Sequence, residues 1–175
     1  MNEDKDMKPF VFQISVKPDT VGEIGLPKRP ATQVQIDIAG LTGDYNCYRQ
    51  KKNAPDLAAL IISTDVLGEL NKEGWPVKPG DLGENLTIAN IDYGPISPDQ
   101  KYSIGEVEIE ISYTCDPCAN LYALPYVGDK RRFEFIKTIM NRREWYTRIL
   151  NEGSILVGNS FSIIWIVVIE NERIK

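Results

Sequence analysis

Residues 106–113 read Glu106-Val107-Glu108-Ile109-Glu110-Ile111-Ser112-Tyr113, with polar and apolar side chains in strict alternation. Successive side chains of an extended strand point to opposite faces, so this octet predicts a strand with Val107, Ile109, Ile111 and Tyr113 on one side and the acids in water on the other. Further β-branched and aromatic runs fall at residues 9–16, 34–38, 57–63, 86–93 and 161–169, and their length and composition favour strands. Turn signals separate them at short intervals: Lys17-Pro18-Asp19, Ala39-Gly40, Lys78-Pro79-Gly80-Asp81, Ser97-Pro98-Asp99 and Val157-Gly158-Asn159. The pattern is that of a mainly β chain folded as one barrel.

Two helices interrupt it. Ser63 or Thr64 can cap a helix over about 65–72, with Val66, Leu67 and Leu70 inward and Gly74 as its stop. A second is expected over about 130–141, with Phe133, Ile136, Ile139 and Met140 at helical spacing and basic pairs at both ends. It is placed as a cover over one mouth of the barrel.

With 175 residues and 42% hydrophobic content, the chain can bury one core without disulfides. One domain is therefore expected over residues 9–175, after a charged, frayed tail at 1–8. That tail has no apolar segment behind it, so no signal peptide is expected. Three cysteines do not make the framework of a secreted mini-protein, and a reducing cytoplasm is expected. The longest apolar run, 163–169, is far short of the roughly 20 residues a membrane span needs.

The formal charge of −5 argues against broad nucleic-acid binding. Basic residues nonetheless pair at Lys28-Arg29, Lys51-Lys52, Arg131-Arg132 and Arg142-Arg143, where they read either as solvated surface or as a local pocket for a small anion. The absence of histidine excludes Ser-His-Asp hydrolysis, Cys-His proteolysis and histidine metal sites. Catalysis must rest on thiol, carboxylate, Lys, Arg, Tyr or a cofactor.

Cys115-Asp116-Pro117-Cys118 follows the alternating strand directly, which puts both thiols at a strand end where a side chain can face a pocket. A thiolate is nucleophilic and binds soft metals, although a cysteine so placed also serves as a small packing residue. The spacing admits a redox dithiol or half a zinc site. No βαβ pattern surrounds it, and with only Cys47 left as a third thiol a structural zinc is not expected.

Gly80-Asp81-Leu82-Gly83-Glu84-Asn85-Leu86-Thr87 combines two glycines with hydrogen-bonding side chains, so it can bring backbone amides close to a ligand; taken alone it also reads as a turn. Pro27 and Pro30 bracket Lys28-Arg29, a point charge and a planar fork that suit a phosphate monoester.

Several stretches, in order, resemble the MOSC family, named after the C-terminal part of molybdenum cofactor sulfurase. They are Gly25-Leu26-Pro27-Lys28-Arg29-Pro30, Gly40-Leu41-Thr42-Gly43-Asp44, the octet Gly80 to Thr87, Pro117-Cys118-Ala119-Asn120-Leu121, and a closing segment from Trp145-Tyr146 through Val157-Gly158-Asn159. The resemblance spans roughly residues 10–165 and is to a small stand-alone member of bacterial type. It implies a MOSC-type β-barrel that binds the molybdenum cofactor, a molybdopterin ending in a phosphate. By position, Cys118 would ligate molybdenum or carry sulfane sulfur, Lys28, Arg29 and Asn85 would hold the phosphate and pterin, and Gly83 and Glu84 would shape their loop.

The chain departs from the family where Tyr45-Asn46-Cys47-Tyr48-Arg49 replaces a histidine-bearing basic segment, and where Cys115 stands in place of a basic residue. No desulfurase or electron-transfer domain is recognised beside the barrel. The resemblance therefore implies a separate sulfur donor such as a cysteine desulfurase, or an electron-transfer protein, together with a small-molecule substrate. The expected function is cofactor sulfuration or reduction of N-hydroxylated compounds. A metal-free thiol or persulfide carrier and a non-enzymatic β-barrel binding module are the alternatives.

Overall fold

The fold was computed as a structural model and describes residues 7–18, 20–21, 23–45, 54–140, 142 and 145–164. Strands form where β-branched and aromatic residues alternate or cluster: β1 (Phe10–Val16), β2 (Arg29–Ala31), β3 (Gln33–Asp37), β4 (Gly40–Leu41), β5 (Ala59–Ser63), β6 (Leu86–Ala89), β7 (Lys101–Ile104), β8 (Val107–Thr114), β9 (Trp145–Ile149), β10 (Gly153–Leu156) and β11 (Phe161–Ile163). One sheet has the order β11-β7-β8-β9-β5-β6-β1-β2, the other β10-β3-β4. The larger sheet curls until its β11 edge meets β1, the strand beside its other edge. The Val11 amide donates to the Asn159 carbonyl at 2.9 Å and the Phe161 amide to the Pro9 carbonyl at 2.8 Å, which joins the start of β1 to the start of β11. The expected mainly β, barrel-like architecture is what forms.

β5 and β6 run parallel, with Ile61 opposite Leu86. Parallel neighbours need a crossover, and the helix α1 (Thr64–Lys72) provides it. The Ser63 hydroxyl accepts the Val66 amide at 3.2 Å, and Val66, Leu67 and Leu70 are buried, as the capping signal and apolar spacing indicate. Gly74 follows at φ +91°, a conformation that lets the chain turn away from the helix.

β5 separates two cores, because consecutive side chains on a strand face opposite ways. Ile61 joins Val11, Ile14, Ile88 and Ile109 inside the barrel, where Val34 and Ile155 of the smaller sheet also pack. Ile62 points outward and joins Leu67, Leu70, Leu82, Leu121 and Phe135. The second helix, α2 (Gly128–Ile139), thus rests in an outer layer and does not cover a barrel mouth.

Three further expectations change. α2 starts earlier than expected and buries Phe135 and Ile139, because Phe135 fits between Trp75 and Tyr126 at centroid distances of 4.6 and 6.1 Å. That choice turns Phe133 and Met140 out, at 73% and 52% exposure. In β8, Val107, Ile109 and Ile111 are buried as expected, but Tyr113 is exposed. A bulge between Ile111 and Thr114 opposite β9 inserts one residue and breaks the alternation. The run expected at 86–93 stops at Ala89, where Asn90 turns at φ +58°. Residues 165–169, part of another expected strand, lie outside the described residues, as does Cys47. No helix among the described residues is long and apolar enough to cross a membrane.

Replacing Ser63 by Ala strips the cap from the crossover helix and leaves the Val66 amide unmet at a buried position. Urea denaturation of Ser63→Ala is expected to show a stability loss of about 1–2 kcal/mol.

Candidate functional site

A buried carboxylate gathers four separate segments. Asp44, just beyond β4 and the left-handed Gly43 (φ +80°), accepts the Lys28 ammonium at 2.8 Å and the Asn85 side-chain amide at 2.9 Å on one oxygen. Its other oxygen accepts the Lys17 backbone amide at 3.0 Å. The side chains of Lys28 and Asp44 are only 4% and 0% exposed. Asn85 is fully buried and also accepts the Leu60 amide at 3.1 Å, tying the network to β5. Its side-chain amide reaches the Ser15 carbonyl on β1 at 3.3 Å as well.

The glycine loop closes onto this network through its backbone. The Lys28 amide donates to the Gly80 carbonyl at 2.9 Å, and the Gly80 amide donates to the buried Glu84 carboxylate at 2.6 Å. A Cβ on Gly80 would lie 2.6 Å from the Lys28 carbonyl oxygen. The close approach this glycine allows is therefore to the protein's own chain. At Gly83 (φ +97°) a Cβ would meet Leu26 at 2.9 Å.

Cys118 lies three residues before Leu121 of the outer core. It precedes a short 3-10 turn, Ala119–Ala123, is half-buried, and its side chain makes no capping bond to that turn. The turn is anchored by Leu121, which shares the outer apolar cluster with Leu82 of the glycine loop. The two regions are also bridged by the Tyr126 hydroxyl, which donates to Asp81 at 2.9 Å. Burial first, and then the Asp81 carboxylate, push the Tyr126 phenol well above its ordinary range.

Cys115 and Cys118 stand three positions apart just beyond β8. Cys115 is buried, and its thiol donates to the Asp116 carbonyl at 3.7 Å. With Asp116 and Pro117 it lines a cleft of about 520 Å³ whose other walls include Ser63, Glu69, Tyr93 and Trp145. The cleft sits where β5, β6 and β8 end and β9 begins. Arg142 reaches its rim and pairs with Glu73, while Asp65, Glu69, Asp92 and Asp116 outnumber it among the charged residues of the described lining.

The sequence-predicted residues therefore fall in three places. Lys28, Glu84 and Asn85 belong to one buried network, Gly83 shapes the same loop, and Arg29 stands exposed at the start of β2. Cys118 belongs to the turn beyond Leu82. Asn85 precedes β6 and Asp92 follows it, so the network and the Cys115 cleft lie at opposite ends of that strand. Asp44 was not singled out as a site residue in the sequence. The usable signal was an acid directly after a turn glycine in a chain whose Lys28 needed a buried counter-charge.

A family model described as the MOSC domain matches residues 49–162. That span includes the glycine loop and Cys118 and starts after Lys28, Arg29 and Asp44. YiiM from Geobacillus stearothermophilus is similar in structure, with a TM-score of 0.69 at 20% identity over 90% of this chain and 75% of that one. The YUAD protein from Bacillus subtilis gives a TM-score of 0.73 at 15% identity, covering 90% and 96%. YiiM from Escherichia coli gives 0.62 at 17%, covering 92% and 71%. A search of curated protein sequences found no match.

Asp44→Asn leaves a buried ammonium facing a neutral group and is expected to cost about 3 kcal/mol in urea unfolding. Lys28→Met combined with Asp44→Asn should lose less than Asp44→Asn alone, because the charge left behind is gone. Tyr126 supplies a pH test. Its folded pKa lies above the unfolded value of about 10, so its stabilisation is full below that pH and is lost as pH rises beyond it. Tyr126→Phe should flatten the alkaline end of a stability-versus-pH curve.

Proposed function

Because the chain belongs to the MOSC domain family, we propose that it binds the molybdenum cofactor and acts through the Cys118 thiol. The family is associated with binding of that cofactor. The carrying observation is the state of Cys118: half-buried, uncommitted to capping its own helical turn, and adjacent to Pro117 on the wall of the cleft.

The donor set fits such a group. A soft thiol suits molybdenum, and the exposed guanidinium of Arg29 can take a phosphate in a bidentate grip. Lys28 and Asn85 would serve the phosphate and pterin end by fixing the two loops that flank it, and Gly83 and Glu84 by setting the shape of the glycine loop. When bound, the cofactor supplies the redox-active metal and its sulfur chemistry. The protein's part is to hold Cys118 on a turn anchored by Leu121 and to hold the loops rigid.

The cleft beside Cys115 is within the roughly 300–1,000 Å³ range of small-molecule sites. It gives a substrate room next to the thiol turn. Reduction of an N-hydroxylated compound and sulfuration of the cofactor both use this arrangement, and each draws electrons or sulfur from a separate protein. A metal-free persulfide carrier is the second reading, favoured by two cysteines three positions apart at one strand end.

Wild-type protein and Cys118→Ser, purified anaerobically from a host that makes the cofactor, are expected to differ in metal. Elemental and pterin analysis should find near-stoichiometric molybdenum in the wild type and at least about tenfold less in the variant. Molybdenum absent from both, with a gain of about 32 Da on the Cys118 peptide after incubation with a polysulfide as sulfane-sulfur donor, would overturn the cofactor reading in favour of the carrier.

A further inference from the structure

We propose that the outward face of α2 is the docking surface for an acidic protein partner of the Cys118 site. The proposal rests on the reading above, in which a separate protein supplies electrons or sulfur. Lys130, Phe133 and Lys137 recur at helical spacing and share one face, with Met140 at the C-terminal cap just beyond them. That face is turned to solvent: Phe133 and Met140 are 73% and 52% exposed, and both lysines are exposed. The opposite side is fixed by Phe135 and Ile139 in the outer core, so the outward orientation is set by packing.

The charge on this helix opposes that of the whole chain. α2 carries four cations and two acids in a protein of formal charge −5. Both acids are engaged within the helix, Glu134 with Arg131 at 3.1 Å and Asp129 with Arg132 at 3.7 Å. Lys130 and Lys137 therefore supply the excess. The Arg132 guanidinium lies 4.9 Å from the Phe133 ring, which places a cation against the exposed aromatic. An aromatic anchor ringed by cations is complementary to an acidic protein surface with an apolar centre.

The helix is also tied to the thiol turn. The Val127 and Gly128 amides donate to the Leu124 carbonyl at 2.9 and 3.1 Å, so α2 starts where the turn after Cys118 ends. Tyr122 on that turn is 40% exposed and extends the apolar contact area toward Cys118. A partner seated on α2 would sit beside the thiol. A lipid surface is the poorer occupant, since one outward aromatic on a twelve-residue helix with Met140 just past its end buries little.

The test uses a small acidic [2Fe–2S] ferredoxin as the probe, titrated into isotope-labelled protein and followed by amide shifts. Shifts are expected on α2 and residues 118–123, with binding weakened about tenfold by Lys130→Glu with Lys137→Glu, and weakened again by raising salt from roughly 25 to 150 mM. Phe133→Ser should weaken binding without changing the salt dependence. All three positions are exposed, so melting should change little. The proposal is overturned if the ferredoxin does not bind, if the shifts map elsewhere, if the variants bind like wild type, or if phosphatidylglycerol vesicles shift the same amides. Molybdenum content separates this from the cofactor reading. Loaded protein without binding at α2 sinks the docking surface alone, whereas unloaded protein that still binds there sinks the cofactor reading and leaves the surface standing.

Discussion

The Asp44 carboxylate is the constraint on which the loops at one end of this barrel depend. It holds the Lys28 ammonium, the Asn85 amide and the Lys17 backbone at once, and these belong to segments far apart in the chain. A buried ion pair contributes little net stability, because desolvation offsets most of the attraction; breaking one side is costly because the other is left unpaired. Its effect here is selective. Conformations that separate residues 28, 44 and 85 strand a charge in an apolar interior, so the loops are driven to one arrangement.

The rest of the site follows from that arrangement. With Lys28 in place, its carbonyl occupies the space beside Gly80, and Glu84 captures the Gly80 amide. Leu82 is then presented to the outer core, where Leu121 of the thiol turn also packs. Rigid backbone and a half-exposed thiol are thus linked through one apolar cluster. The cleft at the far end of β5 and β6 has a different character. The charged residues of its described lining are mostly acidic, and it is bordered by Cys115 where the resemblance led to a basic residue. The Asp44 network and the Cys115 cleft are kept apart by the length of β6, four residues or about 13 Å.

Much of the barrel was legible because alternation and capping are local. Val107, Ile109 and Ile111 needed only a period of two, and Ser63 with Val66 only a cap and its third neighbour. Tyr113 failed because a bulge depends on the partner strand, which a single stretch of sequence does not contain. Phe133 failed for a related reason. Its spacing matched the buried stripe, but the position of Trp75 and Tyr126, distant in sequence from Phe135 or outside the helix, decided which stripe went inward. Lys28, Glu84 and Asn85 were found as residues through the motif, yet their burial around Asp44 was not readable, since a buried ion pair is a property of tertiary contacts. Cys118 was singled out by resemblance, while the cleft beside Cys115 required the ends of four strands to be brought together.

The measurement closest to the central claim is native-state hydrogen exchange at the Lys17, Lys28, Gly80 and Asn85 backbone amides. If the Asp44 network preforms the loops, these amides exchange only with the opening that also exposes the amides of β5 and β6, with matching free energies and denaturant slopes. Fast exchange at these positions through local opening, while β5 and β6 stay protected, would contradict the account.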